Sequence, residues 1–256
     1  MTLAAINAIW VGPRLGPVHA ACLKSFLRHG HRVFLHVYEP PSDVPQGIEL
    51  LDAGELLPQS RMFRHRKTGS LAPFVDLLRY ELLRRGHGLY VDCDVYCLRP
   101  IEDADYIFGW QTDDSVNNAV LKLPPDCPVL ARLCALKDTH PFLPPWQPAA
   151  RRRKWRLQSL IGRATLAHLP FGTTGPDALT WYLREHELLS HAAHSDVFYP
   201  LAFFHAYRLF DPGLTIEDLT THRTVALHLY NEVFHDRLDK PIPQGSPIAT
   251  MLASTA

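Results

Sequence analysis

Apolar positions along the chain follow two rhythms, and the switches between them mark the elements. Residues 6–11 are apolar apart from Asn7 and Trp10's ring nitrogen, which predicts a first strand. Gly12 to Gly16 reads as a loop, and Pro17 suits the first turn of a helix. Val18, Cys22 and Phe26 recur every four residues, with Leu23 and Leu27 beside them, and Gly30 closes that helix face. A second strand is predicted over 32–38, so the chain opens β-α-β, which implies a parallel sheet with a right-handed crossover. A proline-rich loop covers 40–45. A second helix spans 73–85: Phe74, Leu77, Leu78 and Leu82 form its apolar side, Arg84 and Arg85 complement its C-terminal dipole, and Gly86 stops it. A strand over 88–93 follows almost at once. Further strands are predicted at 106–111, 119–123 and 224–230, and a helix at 127–136. Another helix starts near Pro176, with Thr174 as a side-chain cap. Residues 138–156 are proline-rich and then basic, and read as a solvated loop inserted into one domain of residues 1–240. The tail 241–256, with three prolines and little apolar weight, reads as loose.

Composition narrows the class. A chain of 256 residues with 46% hydrophobic content can build one good core. Its 26 basic and 26 acidic residues cancel, so no bulk field draws it to nucleic acid or a membrane. Five cysteines without zinc-site spacing point to reduced, mostly buried thiols and a cytoplasmic setting. The N-terminus lacks a basic leader, and no apolar run approaches the ~20 residues a membrane span needs. The stretch Arg151-Arg152-Arg153-Lys154-Trp155-Arg156 is the one local exception: it is either a solvated loop or a grip for an anionic acceptor or the inner membrane surface.

The chemistry concentrates in Gly88-Leu89-Tyr90-Val91-Asp92-Cys93-Asp94-Val95-Tyr96, read as a buried strand ending in two carboxylates one residue apart. Residues i and i+2 of a strand point to one side, so Asp92 and Asp94 are expected to face one site while Cys93 turns away. Two carboxylates there are costly unless a cation joins them, and a divalent metal carrying a phosphorylated ligand fits. Neither a Gly-x-Gly-x-x-Gly turn after the first strand nor a Gly-Lys-Ser/Thr loop is present. A nucleotide held through its phosphates therefore needs a metal and side-chain donors.

Other residues join by position. Asp76 and Arg79 share a face of the helix that leads into this strand. They form either a surface ion pair or a pair reaching over the strand end, where the guanidinium forks onto phosphate oxygens and Asp76 accepts sugar hydroxyls. Trp10 is either core or a stacking platform for a base. His228, Asn231 or Glu232, at the end of the last strand, are candidates to complete a coordination shell; Mg²⁺ and Mn²⁺ favour oxygen, and Mn²⁺ accepts an imidazole. Asn117 and Asn118 are read either as turn residues before a strand or as sugar-hydroxyl donors.

Taken together, Phe74-Val75-Asp76-Leu77-Leu78-Arg79-Tyr80 and Leu89-Tyr90-Val91-Asp92-Cys93-Asp94-Val95 resemble the signature of the DXD sugar-transferases of glycosyltransferase family 32. That group includes capsular-polysaccharide enzymes and α-1,4-galactosyltransferases, with the glucosylating clostridial toxins more distant. Ile9-Trp10-Val11-Gly12, Asn117-Asn118-Ala119, Thr174-Gly175-Pro176 and His228-Leu229-Tyr230-Asn231-Glu232 extend the likeness over roughly residues 6–232. The resemblance implies an α/β fold of the GT-A, Rossmann-like type with a mixed, mostly parallel sheet. It further implies a nucleotide-sugar donor, UDP-linked by preference, Mn²⁺ or Mg²⁺, and transfer with retention to a saccharide or lipid-linked acceptor in polysaccharide biosynthesis. Carried over, Asp76 and Arg79 hold the donor sugar and diphosphate, and Asp92 touches ribose or sugar. Asp94, with Asp92 and His228, takes the metal; Trp10 stacks on the base and Asn118 joins the donor site. Val75 stands where the family often has a small residue, and Tyr230 where it usually has Trp.

Two rivals share the motif. A phosphatase of the haloacid dehalogenase type also has an apolar strand ending Asp-x-Asp, with the first Asp as nucleophile. It needs a downstream Ser/Thr, a Lys and a later acidic pair, and Asp113-Asp114 comes too early. A non-catalytic nucleotide-sugar-binding module is the other, against which the intact Asp76, Arg79, Asp92 and Asp94 stand.

Overall fold

Eight strands and seven helices appear in the computed structural model, which describes residues 2–136, 143–237 and 240–254. The strands are β1 (Ile6–Trp10), β2 (Val33–Val37), β3 (Ile48–Asp52), β4 (Leu89–Val91), β5 (Val95–Cys97), β6 (Ile107–Trp110), β7 (Val116–Lys122) and β8 (Ala226–His228). The helices are α1 (Pro17–Arg28), α2 (Ala72–Arg84), α3 (Pro128–Cys134), α4 (Ala149–Ser159), α5 (Pro176–Glu185), α6 (Ser195–Phe198) and α7 (Pro247–Ser254).

Six strands form a mixed central sheet in the order β3-β2-β1-β4-β7-β6. The first four run parallel, while β7 is antiparallel to β4 and β6 to β7. β5 and β8 make a separate antiparallel ribbon, pairing Val95 with His228. The fold is thus α/β with a mostly parallel central sheet, as the opening β-α-β pattern predicts.

The pleat divides the core. Leu89 and Val91 of β4 join α1, the ribbon and α7 on one face, while Tyr90 joins α2, α3 and α5 on the other. Asn7 survives inside β1 because its amide is satisfied: Nδ2 donates to the His87 carbonyl at 2.8 Å, and His36 Nε2 lies 3.0 Å from Oδ1. Gly88 is required where β4 begins. Its φ is +118°, and a Cβ there would sit 2.7 Å from the Ala5 carbonyl oxygen, which accepts the Leu89 N–H.

Several boundaries differ from the sequence expectation. β3 is an edge strand with no clean alternation of buried and exposed residues, so period two never shows. The strand predicted over 88–93 ends at Val91, and β7 starts at Val116, which puts Asn117 and Asn118 inside a strand rather than in a turn before one. Thr174 caps nothing: Gly175 holds the cap position of α5, and the Thr174 hydroxyl is used elsewhere. The basic stretch read as a loop is helical, forming α4, while residues 138–142 of that predicted insertion lie outside the described residues. The tail read as loose carries α7, whose Ile248 and Met251 are buried and whose Ser254 hydroxyl meets Tyr96 Oη at 2.6 Å; residues 255–256 lie outside the described residues. All five cysteines are free, and four are buried. Among the described residues no helix is long and apolar enough to cross a membrane.

Candidate active site

The C-terminal ends of parallel strands in an open α/β sheet leave a crevice where ligands bind. Here β1 delivers Trp10 and β4 leads into Asp92. Because β7 runs antiparallel to β4, its beginning, with Asn117 and Asn118, reaches the same edge. These residues line a cleft of about 700 Å³ together with Asp76, Arg79, Asp94 and His228. Every residue singled out for the site by sequence therefore meets in one place.

Asp92 and Asp94 converge by a different route from the pleat. The chain leaves β4 after Val91 and turns, the Val95 N–H bonding to the Asp92 carbonyl at 3.1 Å. Cys93 at the turn is buried, its thiol 3.5 Å from the Ile9 carbonyl. The β5–β8 ribbon begins at once and sets His228 opposite Val95. One donor atom each from Asp92, Asp94 and His228 lies within 4.8 Å of the other two.

Arg79 is no surface ion pair, since it is 4% exposed. Its Nη2 donates to Asp92 Oδ1 at 2.7 Å and to Tyr90 Oη at 3.2 Å, and Nη1 lies 3.2 Å from Asp76 Oδ1. The guanidinium also stacks 4.3 Å from the Tyr90 ring centre. Asp76 in turn accepts from Asn118 Nδ2 at 2.9 Å and from Thr174 Oγ1 at 2.6 Å. Burial pushes the Asp76 carboxyl up, and Arg79 with the two hydrogen bonds only partly offsets it. Burial works against the Arg79 charge too, but Asp92, Tyr90 and Asp76 more than compensate and hold it protonated. Tyr90 is pushed up chiefly by burial, so it stays a neutral donor to Asp92 Oδ1 at 2.6 Å.

Asp94 stands at the other side. Burial raises its carboxyl, but His228 and the Asn231 N–H overcome that and hold it well below the ordinary carboxylate range. His228 Nε2 is 3.3 Å from Oδ1, and the Asn231 N–H is 2.9 Å from Oδ2. Burial lowers the imidazole and Asp94 raises it, with the net shift upward. Tyr230 makes this geometry possible in a left-handed conformation, φ 55°, which is unusual for a bulky residue. Its ring packs 4.1 Å from His228. Trp10 is both core and wall: its indole packs against the core on the α1 and ribbon face of the sheet and lines the cleft, with the His19 ring 4.7 Å away.

Two electrostatic features define what the cleft accepts. Five carboxylates line it (Asp76, Asp92, Asp94, Asp177, Glu232) against one guanidinium, Arg79, and no lysine among the described residues. An anionic ligand entering this field needs a cation beside it. Five buried side-chain atoms of cleft residues have neither a hydrogen-bond partner nor an ion-pair contact among the described residues: Trp10 Nε1, Arg79 Nε, His228 Nδ1, Tyr230 Oη and Asn231 Oδ1. Such a concentration of unmet polar capacity suits a polar ligand. Two carboxylates and an imidazole form a donor set that suits Mn²⁺, and Mg²⁺ less closely.

Sequence reasoning missed Tyr90 and Thr174. Tyr90 stands two residues before Asp92, the spacing used for the carboxylates themselves, yet it reads as plain core. Thr174 carries the signal of a helix cap, which concealed its bond to Asp76.

No family model matches the chain, and no curated protein does. Among solved structures it is similar to the PaToxG glycosyltransferase, with 10% sequence identity and a TM-score of 0.43 over 71% of this chain and 68% of that one. That remote likeness bears on no individual residue of the cleft.

Proposed function

We propose that the chain is a metal-dependent glycosyltransferase that moves a sugar from a nucleoside-diphosphate donor, UDP-linked by preference, to a hydroxyl acceptor with retention at the anomeric carbon. The observation that carries this reading is the meeting of Asp92, Asp94 and His228 beside a buried arginine in an otherwise acidic cleft. Asp94 is the principal metal residue, with His228 and Asp92 beside it. Bound there, Mn²⁺ or Mg²⁺ supplies Lewis-acid neutralisation of a diphosphate.

The chain's own groups then have distinct tasks. Arg79 is fixed by Asp76, Asp92 and Tyr90, so its charge is preorganised for the negative charge that develops on the departing diphosphate. Asp76 and Asn118, bonded to each other, hold sugar hydroxyls. Asp92 is divided between Arg79 and the donor, and Trp10 offers a ring to the base. Asp76 and Asp92 are both engaged by Arg79, which suits stabilisation of an oxocarbenium-like ring better than nucleophilic attack, and no covalent intermediate is assigned. The phosphatase alternative finds no lysine among the described cleft residues.

A screen of nucleotide sugars with Mn²⁺, scored for slow donor hydrolysis, tests the reading without a known acceptor. One donor is expected to be hydrolysed, releasing nucleoside diphosphate, and Asp92→Ala is expected to abolish it. Binding of donors without any turnover supports the non-catalytic module instead. Release of phosphate from simple phosphomonoesters supports the phosphatase.

A further inference from the structure

The 38 residues between Asp138 and Asp177 hold no carboxylate, and they carry six cations: Arg151, Arg152, Arg153, Lys154, Arg156 and Arg163. In a protein of zero net charge this is a strongly local patch. Among the described residues none of the six forms an ion pair.

The structure gives this run a shape. Of α4, only Trp155 is buried, and it anchors the helix to the α2/α3/α5 core. Opposite Trp155, at helical spacing, stand Arg153, Leu157 and Leu160, with Lys154 and Arg156 flanking them. The exposed aliphatics are conspicuous: Leu157 is 69% exposed, Leu160 82% and Ile161 66%. Three bare aliphatics at one helix end, ringed by cations, are the two halves of an interfacial membrane anchor. Nucleic acid would use the charges but leave the aliphatics without a role, and a second copy of this face would set like charges against each other.

We propose that α4 and the turn after it dock the protein on an anionic phospholipid surface, with the cations against the headgroups and Leu157, Leu160 and Ile161 in the acyl boundary. The anchor is tied to the cleft. Gln147, just before α4, bonds Asp177 at 3.1 Å, and Asp177 lines the cleft. α4 has 11 residues and so is about 16 Å long. Docking through its far end therefore holds the cleft close to the bilayer, within reach of a membrane-borne acceptor.

Vesicle sedimentation of the full chain tests this, using phosphatidylcholine alone and phosphatidylcholine doped with phosphatidylglycerol, at low and high salt. The protein is expected to sediment with the anionic vesicles, less so at high salt, and not with neutral ones. Charge reversal in Arg153→Glu/Lys154→Glu/Arg156→Glu should weaken binding by at least about 100-fold, the loss expected from removing three cations alone. Leu157→Ser/Leu160→Ser/Ile161→Ser should weaken it about 10-fold at constant charge. All six positions are exposed, so circular dichroism is expected to be unchanged in both. Absence of binding to anionic vesicles at low salt overturns the proposal. So does binding untouched by the aliphatic substitutions, or a preference for an oligonucleotide over vesicles. A wild-type dimer that the aliphatic substitutions dissociate, without vesicle binding, would reassign the face to self-association.

Discussion

Replacing Arg79 by leucine removes the one cation that two cleft carboxylates, Asp76 and Asp92, share. The losses at the two partners are unequal. Asp92 has 28% of its side chain exposed and keeps its bond from Tyr90, so water replaces much of what Arg79 gave it. Asp76 has 10% of its side chain exposed and keeps only the bonds from Asn118 and Thr174. Breaking a buried pair by deleting one partner costs roughly 3–5 kcal/mol, because the remaining charge is uncompensated. The two surviving bonds place Arg79→Leu at the low end, about 3 kcal/mol, a melting-temperature drop of roughly 6–12 °C for a chain of this size. The carboxyl of Asp76 is already raised by burial, and without Arg79 it rises further. A raised folded-state value means that protonation favours the fold, so the penalty is full above that value and shrinks as pH falls through it. Urea denaturation followed by circular dichroism at pH 8 and pH 5 is the assay. The deficit of Arg79→Leu should narrow at the lower pH, and Asp76→Asn/Arg79→Leu should recover about 2 kcal/mol, since it removes the stranded charge. A single mutant as stable as wild type, or a double mutant whose loss is the sum of the two singles, refutes the idea that these groups act as one buried unit.

Other outcomes follow from the same geometry. Gly88→Ala forces a Cβ against the Ala5 carbonyl at φ +118° and should cost about 3 kcal/mol, read as a lower denaturation midpoint with unchanged slope; an unaffected midpoint contradicts the close approach of β1 and β4. His36, lowered to about 4 by burial and by His87, is neutral in the fold at pH 7. Its contribution is constant above the unfolded value of about 6.5 and is lost as pH falls toward 4, so wild type should lose on the order of 3 kcal/mol more than His36→Gln between pH 7 and pH 4; parallel pH profiles would remove His36 as the cause. Chelation of metal should stop donor hydrolysis, with added Mn²⁺ restoring it in wild type but not in Asp94→Ala; turnover that survives chelation speaks against the metal role.

What the sequence made legible depended on how strongly burial stamped it. α1 and α2 each bury a full apolar stripe, so their periodicity and stop glycines place them within a residue or two. α4 buries only Trp155, and a helix that buries one residue carries no stripe to read. β3 fails for the same reason at a sheet edge. At the site, the two aspartates were recognised from a pleat that is not there: the turn after Val91 brings them together instead, because β5 must leave the central sheet to pair with β8. Asp76, Arg79 and Asn118 were visible as residue types, but their mutual contacts and the roles of Tyr90 and Thr174 depend on the α2–β7–α5 packing, which no local pattern encodes.

On the proposed function, this acidic cleft takes a nucleoside diphosphate only in company with a divalent cation. Calorimetric titration of UDP into the protein, with and without Mn²⁺, tests it most directly. Binding is predicted only when Mn²⁺ is present, and it should disappear in Asp94→Ala while the melting temperature of that variant shows it folded. Binding of UDP that is equally tight without the metal, or no binding of any nucleoside diphosphate with it, would rule out a metal-dependent nucleotide site in this cleft.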